Sequence, residues 1–140
     1  PVPVTVLPPA SPDKPAWCRR ADVALAASGT VSLELAANGT PMVIAYDMAW
    51  LSRIIISRML LVDTVTLVNL VSDTRVVPEF IGKACQPAPI ADAVLAVLAN
   101  PTAQQAAMDL TMDRLGRGGE APGLRAARAV LDRLATVRSR

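Results

Sequence analysis

The clearest pattern of apolar and polar positions predicts a strand, a helix and a second strand early in the chain. A small apolar run over residues 21–27 predicts a buried parallel strand, and an apolar run over residues 42–46 predicts another. Between them the pattern predicts a helix over residues 31–38, which Thr30 can cap and Gly39 can end. This order predicts one βαβ unit, whose first turn lies at the carboxyl edge of a parallel sheet.

The rest of the chain divides into short elements separated by proline, glycine and polar residues. Proline restricts the first of them to a sheet edge. The predicted elements are an edge strand over 2–7, helices over 13–20 and 50–61, a strand over 65–68, a short helix opening at 78–80, and helices over 89–98, 102–115 and 123–137.

Composition favours the same fold class. Apolar residues make up 52% of the chain, but only two Trp, one Tyr and one Phe are present. The core must therefore consist of small and branched aliphatic side chains, which suit a parallel sheet covered by helices. We predict an α/β fold, a Rossmann-like parallel sheet flanked by helices, with a helical C-terminal tail. Residues 1–100 are predicted to form the sheet domain and residues 101–140 the C-terminal helices.

The residue inventory excludes several types of site. The sequence has no histidine, and its cysteines, Cys18 and Cys85, are far apart. This excludes histidine-based catalysis and a Cys/His metal site within the chain. Paired carboxylates, a Walker loop and a nucleophile elbow are absent from the sequence. We therefore expect any catalytic base to lie elsewhere.

The sequence shows no recognisable targeting or membrane-spanning segment. No signal peptide is visible, and no uncharged run is long enough to span a bilayer. Because the chain begins without Met and enters a predicted strand at once, we expect a fragment of a longer protein.

Net charge is only +2, although the chain is basic from residue 114 onward. We favour a solvated helix face there, with contact to a membrane surface or nucleic acid as alternatives.

The turn after the first strand carries candidate chemistry. Ser28, Gly29 and Thr30 precede a helix, so free backbone N–H groups and the positive end of the helix dipole can meet a phosphate. As a bare motif, an ordinary helix N-cap is favoured. Glu34, one turn further on, can accept the hydroxyls of a ribose or can simply complement the helix dipole. We prefer the ribose, because an acid buried in this apolar stretch without a partner would be costly.

The predicted helix over residues 50–61 is apolar on a wide face but contains arginines. Core packing is the favoured interpretation, with Trp50, Leu51 and Ile55 as candidates for membrane or acyl-chain contact. Arg58 can bind a phosphate or lie at the solvent-exposed edge of a buried helix. Asn69 follows a predicted strand, where it can contact a sugar or form a turn.

A series of short sequence motifs, in a fixed order, resembles a known protein family. The run SGTVSLELAANGTPMVIAY is followed by SRML, VTLVNLV, RVVPEF and ACQP. This order resembles the C-terminal half of bacterial lipid-A-disaccharide synthase, a GT-B glycosyltransferase. The resemblance runs from about residue 19 to the last helix. Its Ser-Gly-Thr-x-x-Leu-Glu piece is shared more widely among GT-B enzymes.

The resemblance implies the donor-binding domain of an enzyme with two Rossmann-like domains. That enzyme would transfer 2,3-diacylglucosamine from UDP-2,3-diacylglucosamine to 2,3-diacylglucosamine 1-phosphate, without a cofactor or metal. Its base would lie in the missing N-terminal domain. Carried onto this chain, the resemblance implies diphosphate contact at Ser28, Gly29 and Thr30 and ribose contact at Glu34. It also implies sugar or acceptor contact at Asn69 and Arg58, and it assigns no role to Glu79.

The resemblance also implies partners and a location. They are the acylated substrates, the missing domain, a second copy in a homodimer, and the inner face of the bacterial inner membrane, without nucleic acid. The C-terminal helices would pack on this domain or on the missing one. The competing interpretation is a non-catalytic membrane-surface or subunit-interaction module on a Rossmann-like scaffold. A nucleic-acid binder that uses the basic tail is a third, disfavoured by the tail's lack of aromatic residues.

Overall fold

A computed structural model of the chain describes residues 2–27, 29–48 and 63–138. The described elements are, in chain order, α1 (Lys14–Arg20), β1 (Ala24–Ala26), α2 (Val31–Ala37), β2 (Met42–Tyr46), α3 (Leu67–Ser72), β3 (Glu79–Ile81), a 3-10 turn (Gly82–Ala84), α4 (Pro87–Ala99), α5 (Thr102–Arg114) and α6 (Pro122–Arg138).

The three strands form one parallel sheet in the order β1-β2-β3. The strands are staggered, because Ile44 in β2 lies opposite both Ala26, the last residue of β1, and Glu79, the first residue of β3. α2 connects β1 to β2, so the predicted βαβ unit is present. The Rossmann-like α/β fold predicted from the sequence is confirmed.

One face of the sheet carries the hydrophobic core. Met42 and Ile44 of β2 are fully buried, and helices α2, α3 and α5 cover them. The stretch predicted as a helix over residues 31–38 is α2, and Gly39 ends it with a φ of +70°, which glycine adopts without strain. The buried members of the core cluster are Leu35, Ala36, Met42, Ile44, Val68, Val77, Ala107 and Met108.

A side chain from α5 completes the hydrogen bonding of the central strand. β3 begins only opposite Ile44, so among the described residues no strand lies beside Met42 on that side. The buried Gln104 amide makes the two hydrogen bonds that a neighbouring strand would make. Its Oε1 accepts the Met42 N–H at 2.8 Å, and its Nε2 donates to the Met42 carbonyl at 2.9 Å. α5 is therefore tied to the sheet by polar as well as apolar contacts.

Two predictions between residues 65 and 81 are wrong. The stretch predicted as a strand over 65–68 leads into helix α3, in which Val68 and Ser72, one helical turn apart, are both buried. The short helix predicted at 78–80 is instead strand β3, which is held to β2 by the Ile44 N–H donating to the Pro78 carbonyl at 2.9 Å. In both places packing against β2 and the core outweighs local propensity.

The elements predicted before residue 28 are only partly confirmed. The helix predicted over 13–20 is α1, but residues 2–7, predicted as an edge strand, form no strand, and Val2, Val4 and Val6 are more than 80% exposed. β1 covers only the centre of the predicted strand 21–27 and lies at the edge of the described sheet. Its Leu25 is accordingly 60% exposed rather than buried.

The C-terminal helices appear close to the predicted bounds, as α4, α5 and α6. Thr102 begins α5 rather than capping it, because Pro101 occupies the N-cap position. Among the helices that the structure describes, none combines the length and apolar character needed to cross a bilayer.

Candidate functional site

The turn between β1 and α2 is open to solvent and depends on glycine. Gly29 has a φ of +109°, a conformation that residues with a Cβ rarely adopt, and no atom lies within 4 Å of where its Cβ would be. Thr30 is the N-cap of α2 and is exposed, and its side chain makes no capping hydrogen bond. The hydroxyl of Ser32 instead donates to the Gly29 carbonyl at 2.9 Å. The Thr30 hydroxyl thus remains outside the helix's own capping.

Glu34 is an exposed, paired acid. It lies in the first turn of α2, with about half of its side chain exposed, and its Oε2 lies 2.5 Å from Lys14 Nζ of α1. The hydrogen bond to Glu34, and then its charge, raise the pKa of Lys14. The sequence argument that Glu34 would be a buried acid without a partner is therefore wrong, because α1 supplies the partner.

α1 lies along α2 through two further polar contacts. Arg19 donates to the Asn38 side chain at 3.0 Å, and the Thr40 hydroxyl donates to the Cys18 carbonyl at 2.7 Å. These contacts hold α1 against α2, with Lys14 beside Glu34. The start of α2 therefore carries the Gly29 turn, the exposed Thr30 hydroxyl and the Glu34–Lys14 ion pair.

A second polar cluster forms around Glu79, which the sequence analysis left without a role. Its Oε1 accepts hydrogen bonds from the Thr64 hydroxyl and from the Thr66 N–H at 2.8 Å. Its Oε2 accepts the Val65 N–H at 3.1 Å, and Asn69 Nδ2 lies 3.3 Å from Oε1. One carboxylate at the start of β3 therefore holds the whole segment that leads into α3.

Hydrogen bonds control the ionisation of Glu79. Partial burial of the carboxylate alone would raise its pKa. The hydrogen bonds from Thr64, Thr66 and the Val65 backbone favour the charged form and together outweigh burial. The pKa of Glu79 is consequently held below its usual value, and the group is a carboxylate at neutral pH.

Asn69 is buried, and its amide is engaged with the backbone. Its Oδ1 accepts the Val77 N–H at 3.0 Å, and its Nδ2 donates to the Val77 carbonyl at 2.9 Å and to Thr64 Oγ1 at 3.2 Å. Its side chain thereby closes the loop between α3 and β3. The structure places Asn69 in helix α3 rather than after a strand, contrary to the sequence prediction. Sugar or acceptor contact by Asn69 stays a prediction.

A pocket of about 180 Å³ opens beside this cluster. At its rim Arg75 and Asp63 form a two-pronged ion pair, with Arg75 Nε 2.9 Å from Asp63 Oδ2. The hydrogen bond from Arg75 holds the pKa of Asp63 below its usual value. The described residues that line the pocket are Asp63, Thr64, Asn69, Arg75, Val77, Pro78 and Glu79.

The sheet's stagger relates the two clusters. Ala26, just before the Gly29 turn, and Glu79 both lie opposite Ile44. They are separated by two strand spacings, on the order of 10 Å. Ala26 at the end of β1 and Glu79 at the start of β3 are thus level across the sheet.

The remaining predicted site residues fall outside the described part of the chain. They are Ser28, Trp50, Leu51, Ile55 and Arg58. Within residues 2–27, 29–48 and 63–138, no group of three or more His, Cys, Asp or Glu side chains is arranged to hold a metal ion.

Comparison with known proteins gives consistent matches. A family model described as lipid-A-disaccharide synthetase matches residues 11–129. A lipid-A-disaccharide synthase of Ruegeria pomeroyi is 71% identical over 114 residues, which cover 81% of this chain and 28% of that protein. That of Paramagnetospirillum magneticum is 45% identical, covering 79% of this chain and 30% of the relative. That of Rhodopseudomonas palustris is 44% identical, covering 86% of this chain and 31% of the relative. The chain thus spans less than a third of the length of these curated relatives.

Proposed function

Because the chain belongs to the lipid-A-disaccharide synthetase family, we propose that it is the donor-binding part of a lipid glycosyltransferase. The full protein would move 2,3-diacylglucosamine from UDP-2,3-diacylglucosamine to 2,3-diacylglucosamine 1-phosphate. A hydroxyl of the acceptor would attack the anomeric carbon of the donor, forming the β-1,6 bond while UDP leaves. The family match over residues 11–129 carries this proposal.

The diphosphate of the donor would lie on the turn formed by Ser28, Gly29 and Thr30. Support comes from the turn's position after β1, at the carboxyl edge where open α/β sheets bind ligands. No atom lies within 4 Å of where a Gly29 Cβ would be, which leaves room for a phosphate, and the exposed Thr30 hydroxyl can donate to a phosphate oxygen. Lys14 Nζ, close to Glu34 at the start of α2, adds a positive charge near the same place.

The ribose would bind Glu34, as the resemblance implies. A carboxylate can accept from two neighbouring hydroxyls at once, and Glu34 has half of its side chain exposed for this purpose. Because only its Oε2 pairs with Lys14, Oε1 keeps its acceptor capacity. We propose that Lys14 orients the carboxylate while the ribose binds. Proton removal from the acceptor would fall to a group outside this chain.

The full protein would work at the inner face of the bacterial inner membrane, because both proposed substrates carry acyl chains. Contact of Trp50, Leu51 and Ile55 with acyl chains or membrane, sugar or acceptor contact by Asn69 and Arg58, and assembly as a homodimer belong to the same proposal. The rest of the longer protein would supply the second Rossmann-like domain and the base.

Titration of the chain with UDP, followed by amide chemical shifts, tests the site. We expect weak binding with shifts at Gly29, Thr30 and Glu34, and no transferase activity from the chain alone. Glu34→Gln should weaken UDP binding by about tenfold or more, the value of a charge-assisted hydrogen bond. Asp92→Asn, which removes an exposed acid from α4, is the matched control and should leave binding unchanged.

A second ligand isolates the ribose contact. 2′-Deoxy-UDP should bind the unaltered chain more weakly than UDP, and Glu34→Gln should remove this difference. A difference that persists in Glu34→Gln would rule out Glu34 as the ribose contact. Absence of any shift at the turn, together with binding of a protein partner or lipid, would instead favour the non-catalytic interaction module.

A further inference from the structure

The pocket beside the Glu79 cluster is small, and most of the residues that line it are polar. Its volume of about 180 Å³ is below the roughly 300–1,000 Å³ of sites that enclose drug-sized ligands. It therefore suits a single small ring rather than a whole nucleotide. Val77 and Pro78 also line it, and these apolar side chains can pack against the C–H groups of such a ring.

Arg75 and Asp63 offer both donors and acceptors at the rim of this pocket. About half of the Arg75 side chain is exposed. A guanidinium has five N–H groups, and Arg75 uses two of them on Asp63 and one on the Thr74 carbonyl. Within the described part of the chain, the other two have no hydrogen-bond partner. Because the Asp63 carboxylate also keeps acceptor capacity, the pair can both donate to and accept from one hydroxyl group.

The charges around the pocket favour a neutral ligand. The hydrogen bond to Asp63 raises the pKa of Arg75, and the charges of two further carboxylates act in the same direction. These carboxylates belong to Asp73 and Glu79. Three acids therefore surround one guanidinium, and a phosphate would meet more negative than positive charge here. Hydroxyl groups are uncharged and both donate and accept, so a neutral sugar ring fits this arrangement better than a phosphate.

Asn69 holds the loop that carries Arg75. Its side-chain amide pairs both backbone groups of Val77, and its own carbonyl accepts the Thr74 N–H at 3.0 Å. These bonds fix the chain on both sides of Arg75. Asn69 is only 1% exposed and both of its Nδ2 hydrogens are used, so its own contact with a ligand is limited to accepting a hydrogen bond at Oδ1.

We propose that this pocket is a subsite for the glucosamine ring of the substrates, in which Arg75 and Asp63 bind the C4 hydroxyl and Asn69 is a positioning residue for Arg75. The inference rests on the proposed function, which supplies the sugar. In 2,3-diacylglucosamine the groups at C2 and C3 carry acyl chains, so the free hydroxyls of the sugar are at C4 and C6. The C6 hydroxyl of the acceptor forms the new bond, which leaves the C4 hydroxyl for recognition in either substrate.

Titration of the chain with N-acetylglucosamine and with N-acetylgalactosamine, its C4 epimer, tests the subsite by NMR. N-Acetylglucosamine should shift the Arg75 Nε–H signal and the Thr64 backbone amide, and the epimer should bind at least about threefold more weakly. Arg75→Lys should weaken N-acetylglucosamine binding by about three- to tenfold, because lysine cannot reproduce the forked N–H geometry. Arg117→Lys is the matched control and should leave binding unchanged, since Arg117 pairs with Asp109 and Asp113 without lining the pocket.

A double-variant cycle tests the positioning role of Asn69. If Asn69 acts through Arg75, Asn69→Ala should weaken sugar binding, and adding Arg75→Lys should weaken it no further than the stronger single change. Gln104→Leu is the matched control, because it also removes a buried amide that pairs both backbone groups of one residue. It should lower stability but leave the sugar affinity of the folded chain unchanged. Circular dichroism checks folding, and Arg75→Lys, which alters an exposed side chain, keeps the test decisive if Asn69→Ala fails to fold.

Three outcomes would overturn the proposal. One is equal binding of the two sugars, or no sugar-induced shift at Arg75, in a chain whose Gly29 turn responds to UDP; the proposed function would then stand without this subsite. Another is a larger shift of Arg75 with inorganic phosphate than with either sugar, which would make the pocket an anion site. A third is an additive loss in the double variant, which would make Asn69 a direct contact. Sugar binding at Arg75 without any UDP response would support the subsite and count against the donor-binding proposal.

Discussion

Replacing Glu79 tests whether one carboxylate holds the segment between residues 63 and 69 on the sheet. Alanine at this position removes the acceptor for the Thr64 hydroxyl, for two backbone N–H groups and for Asn69 Nδ2. A hydrogen bond to a charged group contributes about 1.5–3 kcal/mol. Because the carboxylate is only partly buried, water replaces much of each bond, and we expect about 2–3 kcal/mol in total for Glu79→Ala.

Urea unfolding of the full chain measures this loss. With a slope of about 1.5 kcal/mol per molar urea, the midpoint should fall by about 1–2 M. Glu79→Gln should lose less, about 1–2 kcal/mol, because its amide oxygen can still accept from Thr64 and Thr66 while its NH2 group no longer accepts the Val65 N–H. Glu34→Gln is the matched control, since its exposed ion pair with Lys14 should contribute little to stability.

The pH dependence gives an independent check on the same residue. The folded pKa of Glu79 is lowered from 4.5, so its stabilising contribution is present above the unfolded pKa and is lost as the pH falls through the folded pKa. The difference in unfolding free energy between the unaltered chain and Glu79→Gln should therefore shrink below about pH 4.5. An unchanged urea midpoint for Glu79→Gln, with the same pH slope as the unaltered chain, would refute the role of Glu79.

Three further substitutions test the turn and the buried amides. Asn69→Ala should destabilise the chain by about 2–4 kcal/mol, because it leaves the Val77 backbone groups unpaired, and a loss under about 1 kcal/mol by thermal melting would contradict this. Gln104→Leu should cost about 2–4 kcal/mol in the same assay, since its amide pairs both backbone groups of one β2 residue, and an unchanged melting temperature would exclude that role. Gly29→Ala should cost about 1–3 kcal/mol through its φ of +109° and reduce UDP binding, whereas Gly123→Ala, where glycine has open space and no positive φ, should be nearly neutral.

The sequence predicts the βαβ unit well because several signals coincide there. Apolar runs of the right lengths flank a helix with Thr30 before it and Gly39 after it, and the observed β2 has the predicted bounds. The family resemblance is confirmed by the match over residues 11–129. The predicted diphosphate and ribose contacts at Ser28, Gly29, Thr30 and Glu34 stay predictions.

Prediction failed where elements are short and tertiary contacts decide. The β-branched residues before Asn69 favour a strand locally, but burial of Val68 against the core produces helix α3. Three residues suffice for β3, too few to show the two-residue period of a strand. The role of Glu79 was missed because its donors lie more than ten residues earlier in the chain. A carboxylate's partners at such a separation follow from the fold and not from local pattern.

The Gln104 bridge also bears on how the chain folds as it is synthesised. Met42 and Gln104 are 62 positions apart, so β2 emerges from the ribosome well before the side chain that completes its hydrogen bonding. At about 5–20 residues per second, the central strand waits several seconds with a backbone donor and acceptor unpaired. A nascent chain stalled before residue 104 would expose this incomplete strand edge to other chains.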